Sequence, residues 1–472
     1  MQISCVNYNK LDHGTRLDAE YYRPEFLEVE KLLRKVNCKL LDDVSRSIKS
    51  FGAYALCNEM VLVDKGIPFI RCKDIKEGFV DFSDVLFIDY KTHRLLNKSA
   101  VTPEIVMLTM SGTVGNCAIA DPAWNYPINS NQDIAKIETN DLINPYYLTV
   151  FLNGKYGKSQ TERLPIGSIQ QHIFIWQLKR LLVFIASKDF QNTIAKLYAK
   201  SIKSLVGSEA IYKKAEDALL SELGLLNWKP KHRLSFVKKF SESQDASRID
   251  AEYFQPKYDE VVDHIKQYKK GYKPLAEIVK VKDQNFQPKD DVTYRYIELA
   301  NISANGNING FIETLGKELP TRARRKVNDG DVIVSTIEGS LSSIALIIKD
   351  FDNALCSTGF FVINSEEINS ETLLVLLKSP VGQLQLKKGC SGTILTAIGD
   401  DEFKRIILPV LPAGIQKDIK KKITEMYNAK AISKHLLNIA KCGVEIAIER
   451  NETTAKKWIL REVNKIGVSL NA

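Results

Sequence analysis

Apolar positions recur every three or four residues over two stretches far longer than an ordinary helix. The first runs from about Asp189 to Leu225 through Ile194, Tyr198, Ile202, Leu205, Tyr212, Leu219, Leu220 and Leu223. The second runs from about Gly414 to Glu449 through Ile415, Ile419, Ile423, Met426, Tyr427, Ile432, Leu436 and Ile439. With Lys and Glu between the apolar positions, this spacing predicts two long amphipathic helices. Each stripe needs a partner, and the other helix is the obvious one. Shorter apolar runs upstream of each long helix, broken by Gly, Asn and Ser, predict strands and turns.

The shorter patterns occur twice in the same order. RLDAEYYRPEF (Arg16 to Phe26) returns as RIDAEYFQPKY (Arg248 to Tyr258), and each leads into a short amphipathic helix that Pro24 or Pro256 opens. IPFIRCKDI parallels YRYIELANI, and EIVMLTMSGTVGNCAIA parallels DVIVSTIEGSLSSIALI, a strand, a tight turn and a strand in each case. GKSQTERLPIGSI parallels GQLQLKKGCSGTI, and each precedes a basic-apolar run, Leu178 to Val183 or Phe403 to Leu408, that reads as a strand. The chain is therefore an internal duplication. Its architecture is α+β, with two tandem α/β units separated by long helices that pair as an antiparallel coiled coil with pseudo-twofold symmetry. The boundaries are 1–187 and 229–411 for the units, 188–228 for the first helical spacer, and 412–472 for the second spacer with the C-terminal tail.

A net charge of +9 favours polyanionic partners over cationic ones. The eight cysteines are scattered without a CxxC pair, which argues against a zinc ribbon and fits reduced thiols in the cytoplasm. No signal peptide or membrane span is read. Catalytic readings fail one by one. Asn144-Pro145-Tyr146-Tyr147 lacks the second proline of an adenine-methyltransferase motif and reads as an Asn-Pro helix start. Gly157-Lys158-Ser159 lacks the P-loop glycine five residues earlier, where Leu152 stands. The six histidines show no HExxH spacing, so no metal site is expected.

Taken in series, the duplicated DAEY block, the SGTVG and IEGSLS turns, the glycine loop before the basic run and the terminal long helices resemble the specificity subunit of type I restriction-modification systems. The resemblance covers essentially the whole chain. It implies two target-recognition domains reading a bipartite, asymmetric site on double-stranded DNA, and helical spacers that dock two methyltransferase subunits. It also implies a chain with no active site and no cofactor of its own. S-adenosylmethionine would belong to the methyltransferase partner, ATP and Mg to a restriction partner. The alternative reading is a stand-alone duplicated DNA-binding protein of regulatory or anti-restriction type.

Phosphate and base contacts require cationic, amide or hydroxyl donors. Candidates in the first half are Arg71, Lys73, Arg94, Lys98, Ser111, Thr113, Asn129, Asn131, Gln132, Ser168 and Gln170. In the second half they are Asn301, the cluster Arg322, Arg324, Arg325 and Lys326, then Glu338, Ser340, Ser357, Thr358, Ser391 and Thr393. The repeated acidic-aromatic block offers Asp18, Tyr21, Tyr22, Asp250, Tyr253 and Phe254 as partner-binding residues, although helix entry and packing explain it equally well.

Overall fold

A computed structural model describes residues 5–7, 11, 16–51, 59–166, 171–282, 284–303, 306–392 and 396–470. The chain divides into two compact units, one comprising 1–206 with 429–472 and the other 207–428.

In chain order the first unit contains helix α1 (Pro24–Leu33) and strands β1 (Cys38–Leu40), β2 (Ser45–Lys49), β3 (Leu62–Val63), β4 (Ile67–Ile70) and β5 (Leu86–Ile88). Helix α2 (Tyr90–Leu95) leads to β6 (Ala100–Val101), β7 (Val106–Thr109), β8 (Cys117–Ile119), β9 (Ile128–Ser130) and β10 (Ile134–Thr139). Helices α3 (Pro145–Asn153), α4 (Lys155–Arg163) and α5 (Ile175–Leu178) precede β11 (Leu182–Phe184) and the long α6 (Lys188–Glu222), whose last part enters the second unit.

The second unit continues with α7 (Phe240–Ala246), α8 (Pro256–Lys266), β12 (Tyr272–Pro274), α9 (Leu275–Ile278), β13 (Val279–Val281), β14 (Thr293–Ile297) and β15 (Ile312–Leu315). It goes on through β16 (Ala323–Lys326), β17 (Val332–Ser335), β18 (Ile344–Leu346), β19 (Leu355–Ser357) and β20 (Phe360–Ser365). Then come α10 (Ser370–Lys378), α11 (Pro380–Gly389), β21 (Cys390–Ser391), β22 (Ala397–Ile398), α12 (Asp400–Arg405) and β23 (Ile407–Pro409). Helix α13 (Ala413–Glu449) returns to the first unit, where α14 (Glu452–Lys465) ends the fold.

Apart from β3 in the first unit and the β21-β22 ribbon in the second, the repeat holds strand for strand. The antiparallel sheet β2-β10-β7-β8 recurs as β13-β20-β17-β18. The mixed sheet β5-β4-β9-β6 recurs as β15-β14-β19-β16, each with one parallel pair, β4 with β9 and β14 with β19. The first copy adds β3 at its edge. A two-stranded ribbon, β1-β11 or β12-β23, completes each unit.

Single side chains repeat as well. Asn144 caps α3, accepting from the Tyr146 and Tyr147 amides, and Gln191 on α6 accepts from the Asn144 amide at 2.7 Å. In the second unit Asn369 caps α10, and Gln416 on α13 accepts from its amide at 3.1 Å. Pro145 at the first helical position of α3 confirms the Asn-Pro helix start. Gly157 and Gly382 let the second helix of each pair turn back onto the first. An added Cβ would lie 2.4 Å from the Leu152 or the Leu377 Cα.

Both long helices fall within a few residues of the bounds that periodicity predicts. In the first unit Ser201 Oγ donates to the Ser433 carbonyl and Ser204 Oγ to the Ala429 carbonyl, both at 2.8 Å. Rising numbers on α6 meet falling numbers on α13, so the pair is antiparallel. Ile194, Leu197 and Tyr198 pack there with Leu436, Ile439 and Ala440. In the second unit Ala215, Leu219 and Leu220 share a core with Ile419, Ile423 and Met426.

One prediction is corrected. The basic-apolar runs are not strands throughout, because α5 and α12 occupy their first residues and the strands start only at Leu182 and Ile407. At the α5 entry Gln177 Oε1 accepts from the Phe174 amide at 2.8 Å, and its Nε2 donates to the Leu164 carbonyl. This capping turns the chain into a helix just where the pattern of residues reads as extended.

Candidate nucleic-acid interface

In the first unit the loop after β4, the β7–β8 turn and the β9–β10 connection meet at one edge of the sheets. The Asn131 amide donates to the Ile70 carbonyl at 2.9 Å, and the Met110 amide to the Asp133 carbonyl at 2.8 Å. Ile173 N–H donates to the Met110 carbonyl at 2.8 Å, and Ser111 forms a bridge with His172. The Cys72 thiol donates to the Asp133 carbonyl at 3.3 Å from inside this edge, and burial pushes its pKa up. Gly112 and Gly115 take positive φ values, 71° and 80°, as the tight turn requires.

This edge brings together Arg71, Lys73, Ser111, Thr113, Asn131 and Gln132, which lie apart in sequence. Arg71 is half-buried and clasped by Asp74 at 3.0 Å and by the Asp84 carbonyl. Lys73 is exposed and pairs with Asp84 at 2.7 Å, whose carboxyl is held below its ordinary value chiefly by that hydrogen bond. Thr113 is exposed, whereas Ser111 is buried. Arg94 on α2 and Lys98 just beyond it are exposed. Asn129 is wholly enclosed. It bonds Ser99 Oγ and the Leu96 carbonyl, and so joins β9 to the α2 region instead of facing solvent. Ser168 and Gln170 lie outside the described residues.

The second unit builds the same edge from different residues. The Thr336 amide donates to the Gly359 carbonyl at 3.0 Å, and the Glu338 amide to the Thr396 carbonyl at 3.0 Å. Ile337 bridges Ala397, and the Thr358 amide donates to the Arg322 carbonyl at 2.8 Å. Arg322, Lys326, Thr358 and Ser391 are exposed. Arg324 is half-buried and donates to Gln287 at 2.9 Å. The Arg325 Nη1 is enclosed and meets no hydrogen-bond partner among the described residues. Asn301 accepts from the Glu298 amide at 2.8 Å, Ser340 pairs with Ser335 at 2.9 Å, and Ser357 is buried, accepting from the Gly359 amide. Glu338 is half-buried, and Thr393 lies outside the described residues.

Residues 268–441 match the family model described as the type I restriction modification DNA specificity domain. That span holds the second copy of the strand order set out above. Over that span the chain is similar to the type I restriction modification DNA specificity domain. The first unit repeats the strand order of the matched span.

Among solved structures, the chain is similar to the type I restriction-modification S subunit from M. genitalium, at 13% identity and TM-score 0.38 over 90% of this chain and 95% of that one. It is similar to HsdS from Thermoanaerobacter tengcongensis, at 12% identity and TM-score 0.30 over 88% and 97%. A structure described as addressing complex assembly and conformational transition of the type I R-M system aligns at 11% identity and TM-score 0.28 over 90% and 97%. No curated protein sequence matches. No group of side chains among the described residues has the makings of a metal site, and no described helix is long and apolar enough to cross a membrane.

The acidic-aromatic block folds into a knot in both units. Arg16 Nε meets Asp18 at 2.6 Å, the Tyr21 amide donates to Asp18 at 3.0 Å, and the guanidinium lies 4.7 Å from the Tyr21 ring centre. Arg248, Asp250 and Tyr253 repeat this at 2.8, 3.0 and 4.4 Å. Hydrogen bonds from the arginines hold both aspartates below the ordinary carboxylate range. Tyr22 is buried and Phe254 half-buried, so packing accounts for much of the block.

Sequence reasoning missed Phe174, exposed against the His172 ring at the first edge, and Trp176 on α5, which is also exposed. Asp400 and Asp401 stand in the corresponding stretch of the second unit. Reading the two copies against each other at that loop would have exposed the difference.

Proposed function

We propose that each unit reads one part of a bipartite, asymmetric DNA site and that the chain docks two methyltransferase subunits. The observation that carries this reading is one backbone edge built twice with different chemistry. Arg71 and Lys73 stand where the second copy has Glu298 and Ala300, Asp74 where it has Asn301, and Thr113 where it has Ser340. Equal scaffolds with unequal donors fit two unequal half-sites. The exposed candidates are Lys73, Arg94, Lys98 and Thr113 in one unit and Arg322, Lys326, Thr358 and Ser391 in the other.

On this reading chemistry resides in the partners. A methyltransferase subunit would use S-adenosylmethionine to modify adenine N6, and a restriction subunit, where present, would use ATP and Mg. The scattered free cysteines agree with a cytoplasmic setting. The test is to map methylated adenines in DNA modified by the reconstituted complex. A split site with unlike halves is expected, and a continuous palindrome would overturn the reading.

A further inference from the structure

We propose that Tyr198 and Lys441, on the two long helices, are positioning residues that hold the loop carrying Arg71 and Lys73, and that base discrimination by the first unit depends on this tie. The proposal rests on the reading of each unit as a DNA reader. Residues 71–84 form a loop closed on itself between β4 and β5. Ile75 bridges Val80, the Asp81 amide donates to the Asp74 carbonyl at 2.8 Å, and Lys76 Nζ donates to the Lys73 carbonyl at 2.6 Å. One end of the loop carries Arg71 and Lys73. It is joined to the β7–β8 turn, because Thr113 Oγ1 donates to the Cys72 carbonyl at 3.4 Å.

The tip of the loop, Glu77 and Gly78, meets the long helices instead. The Tyr198 hydroxyl on α6 donates to the Gly78 carbonyl, and Lys441 on α13 pairs with Glu77 at 3.3 Å. Lys158 on α4 reaches Glu77 at 3.5 Å and Asn116 at 2.6 Å, and Asn116 Nδ2 donates to the Ile75 carbonyl at 3.2 Å. Gly78 holds φ at 90°, and an added Cβ would lie 3.0 Å from Leu437 on α13. All of these residues belong to the first unit.

The second unit does not repeat this tie among its described residues. At the spacing that relates Gln191 to Gln416, Tyr198 answers to Ile423 and Lys441 to Glu216. Ile423 is buried and has no hydroxyl to donate, and Glu216 is paired with Lys213 at 2.7 Å. The turn glycine of the second unit, Gly306, also takes a positive φ, 81°, but the side chains nearest a Cβ there are Lys378 and Leu374 on α10. Contacts that serve the scaffold recur in both units, as the Asn144 and Asn369 caps do. The tie to the long helices instead follows the loop whose polar residues differ between the copies.

A free surface loop gives up conformational freedom when it meets DNA, and it can shift to accommodate a wrong base pair. A loop held at its tip has less freedom to lose and less room to adapt. Tyr198 and Lys441 therefore act on discrimination through Arg71 and Lys73 without touching DNA.

The test uses complexes of the full chain with its methyltransferase subunit and reads binding by fluorescence anisotropy. The probes are the mapped duplex and duplexes with one base pair changed in either half. Replacing Arg71 and Lys73 together by Ala marks which half the first unit reads. Tyr198→Phe with Lys441→Met should lower discrimination in that half roughly fivefold and leave the other half unchanged. Lys441→Met alone should give a loss of the same kind, roughly twofold, and Lys441→Arg, which keeps the ion pair, should behave as the wild type. A merely structural role predicts a lower unfolding temperature with both halves discriminated as in the wild type, and that result would overturn the inference while leaving the DNA reading intact. Equal loss in both halves would also overturn it, since the tie lies within one unit. If the Arg71 and Lys73 replacement changes neither half, DNA reading at this edge falls and the inference falls with it.

Discussion

Lys136 lies on β10 with its side chain in the apolar interior of the first unit, 1% exposed. Its Nζ is enclosed and meets no hydrogen-bond partner among the described residues. In register, Lys136 stands opposite Met107, and Val362 stands opposite Ile333 at the matching place in the second unit. Burial, and after it the charge of Lys49 on β2, lowers the Lys136 pKa from the ordinary 10.5 to about 8. The difference, 10.5 − 8, corresponds to about 3 kcal/mol at roughly 1.4 kcal/mol per pH unit.

The sign follows from which state holds the proton. Below about pH 8 both folded and unfolded chains are protonated, and the folded state bears the full cost of a buried ammonium. Between about 8 and 10.5 the unfolded state binds more protons, so wild-type stability rises with pH in that window. Lys136→Met keeps the length of the chain and removes the charge. The variant should be more stable by about 3 kcal/mol at pH 7, and this advantage should fade toward pH 10.5. Urea unfolding followed by tryptophan fluorescence suits the measurement, because Trp124, Trp176 and Trp458 all lie in the first unit. An equal advantage at pH 7 and pH 10, or a less stable variant at pH 7, would refute the argument.

Two further expectations separate reading from scaffolding. Arg322→Ala and Lys326→Ala should each reduce the slope of log affinity against log salt by about one, measured by fluorescence anisotropy on the mapped duplex. A slope unchanged in both would remove them from the phosphate contacts. Asn129→Ala should lower stability by about 1–3 kcal/mol through the bonds it leaves unmade. Its salt slope should match the wild type in the same titration, and a changed slope would return Asn129 to the interface.

The duplication was legible because helix-opening prolines, turn glycines and long apolar stripes repeat in order, and each dictates local structure. The Asn144-Pro145 start and both long helices follow from rules that act within one or two turns of chain. Sheet order was not legible. The parallel pairing of β4 with β9 joins segments about sixty residues apart, and no local pattern encodes it. The candidate site was half legible for a related reason. Polar residues were visible, but not what they bond. Asn129, Ser111 and Ser357 are enclosed by the fold, whereas Lys73, Thr113, Arg322 and Thr358 reach solvent.

What the two units share and where they part divide their surfaces by task. The Arg-x-Asp-x-x-Tyr knot, the capping asparagines and the clasping glutamines agree to within a few tenths of an ångström. The edge that gathers Arg71 and Thr113 shares its turn contacts with the second edge, Met110 with Asp133 and Ile173 in one unit and Thr336 with Gly359 and Ile398 in the other, but not its side chains. Beside it, Phe174 and Trp176 face solvent in one unit, and Asp400 and Asp401 stand in the other. An acidic stretch repels phosphate, while an exposed aromatic ring next to a histidine offers a face for stacking. Partners that are alike require surfaces that are alike, and DNA half-sites that differ require surfaces that differ. The knot meets the first condition and the edge meets the second, so on the proposed function like partners would meet the knot and unlike half-sites the edge.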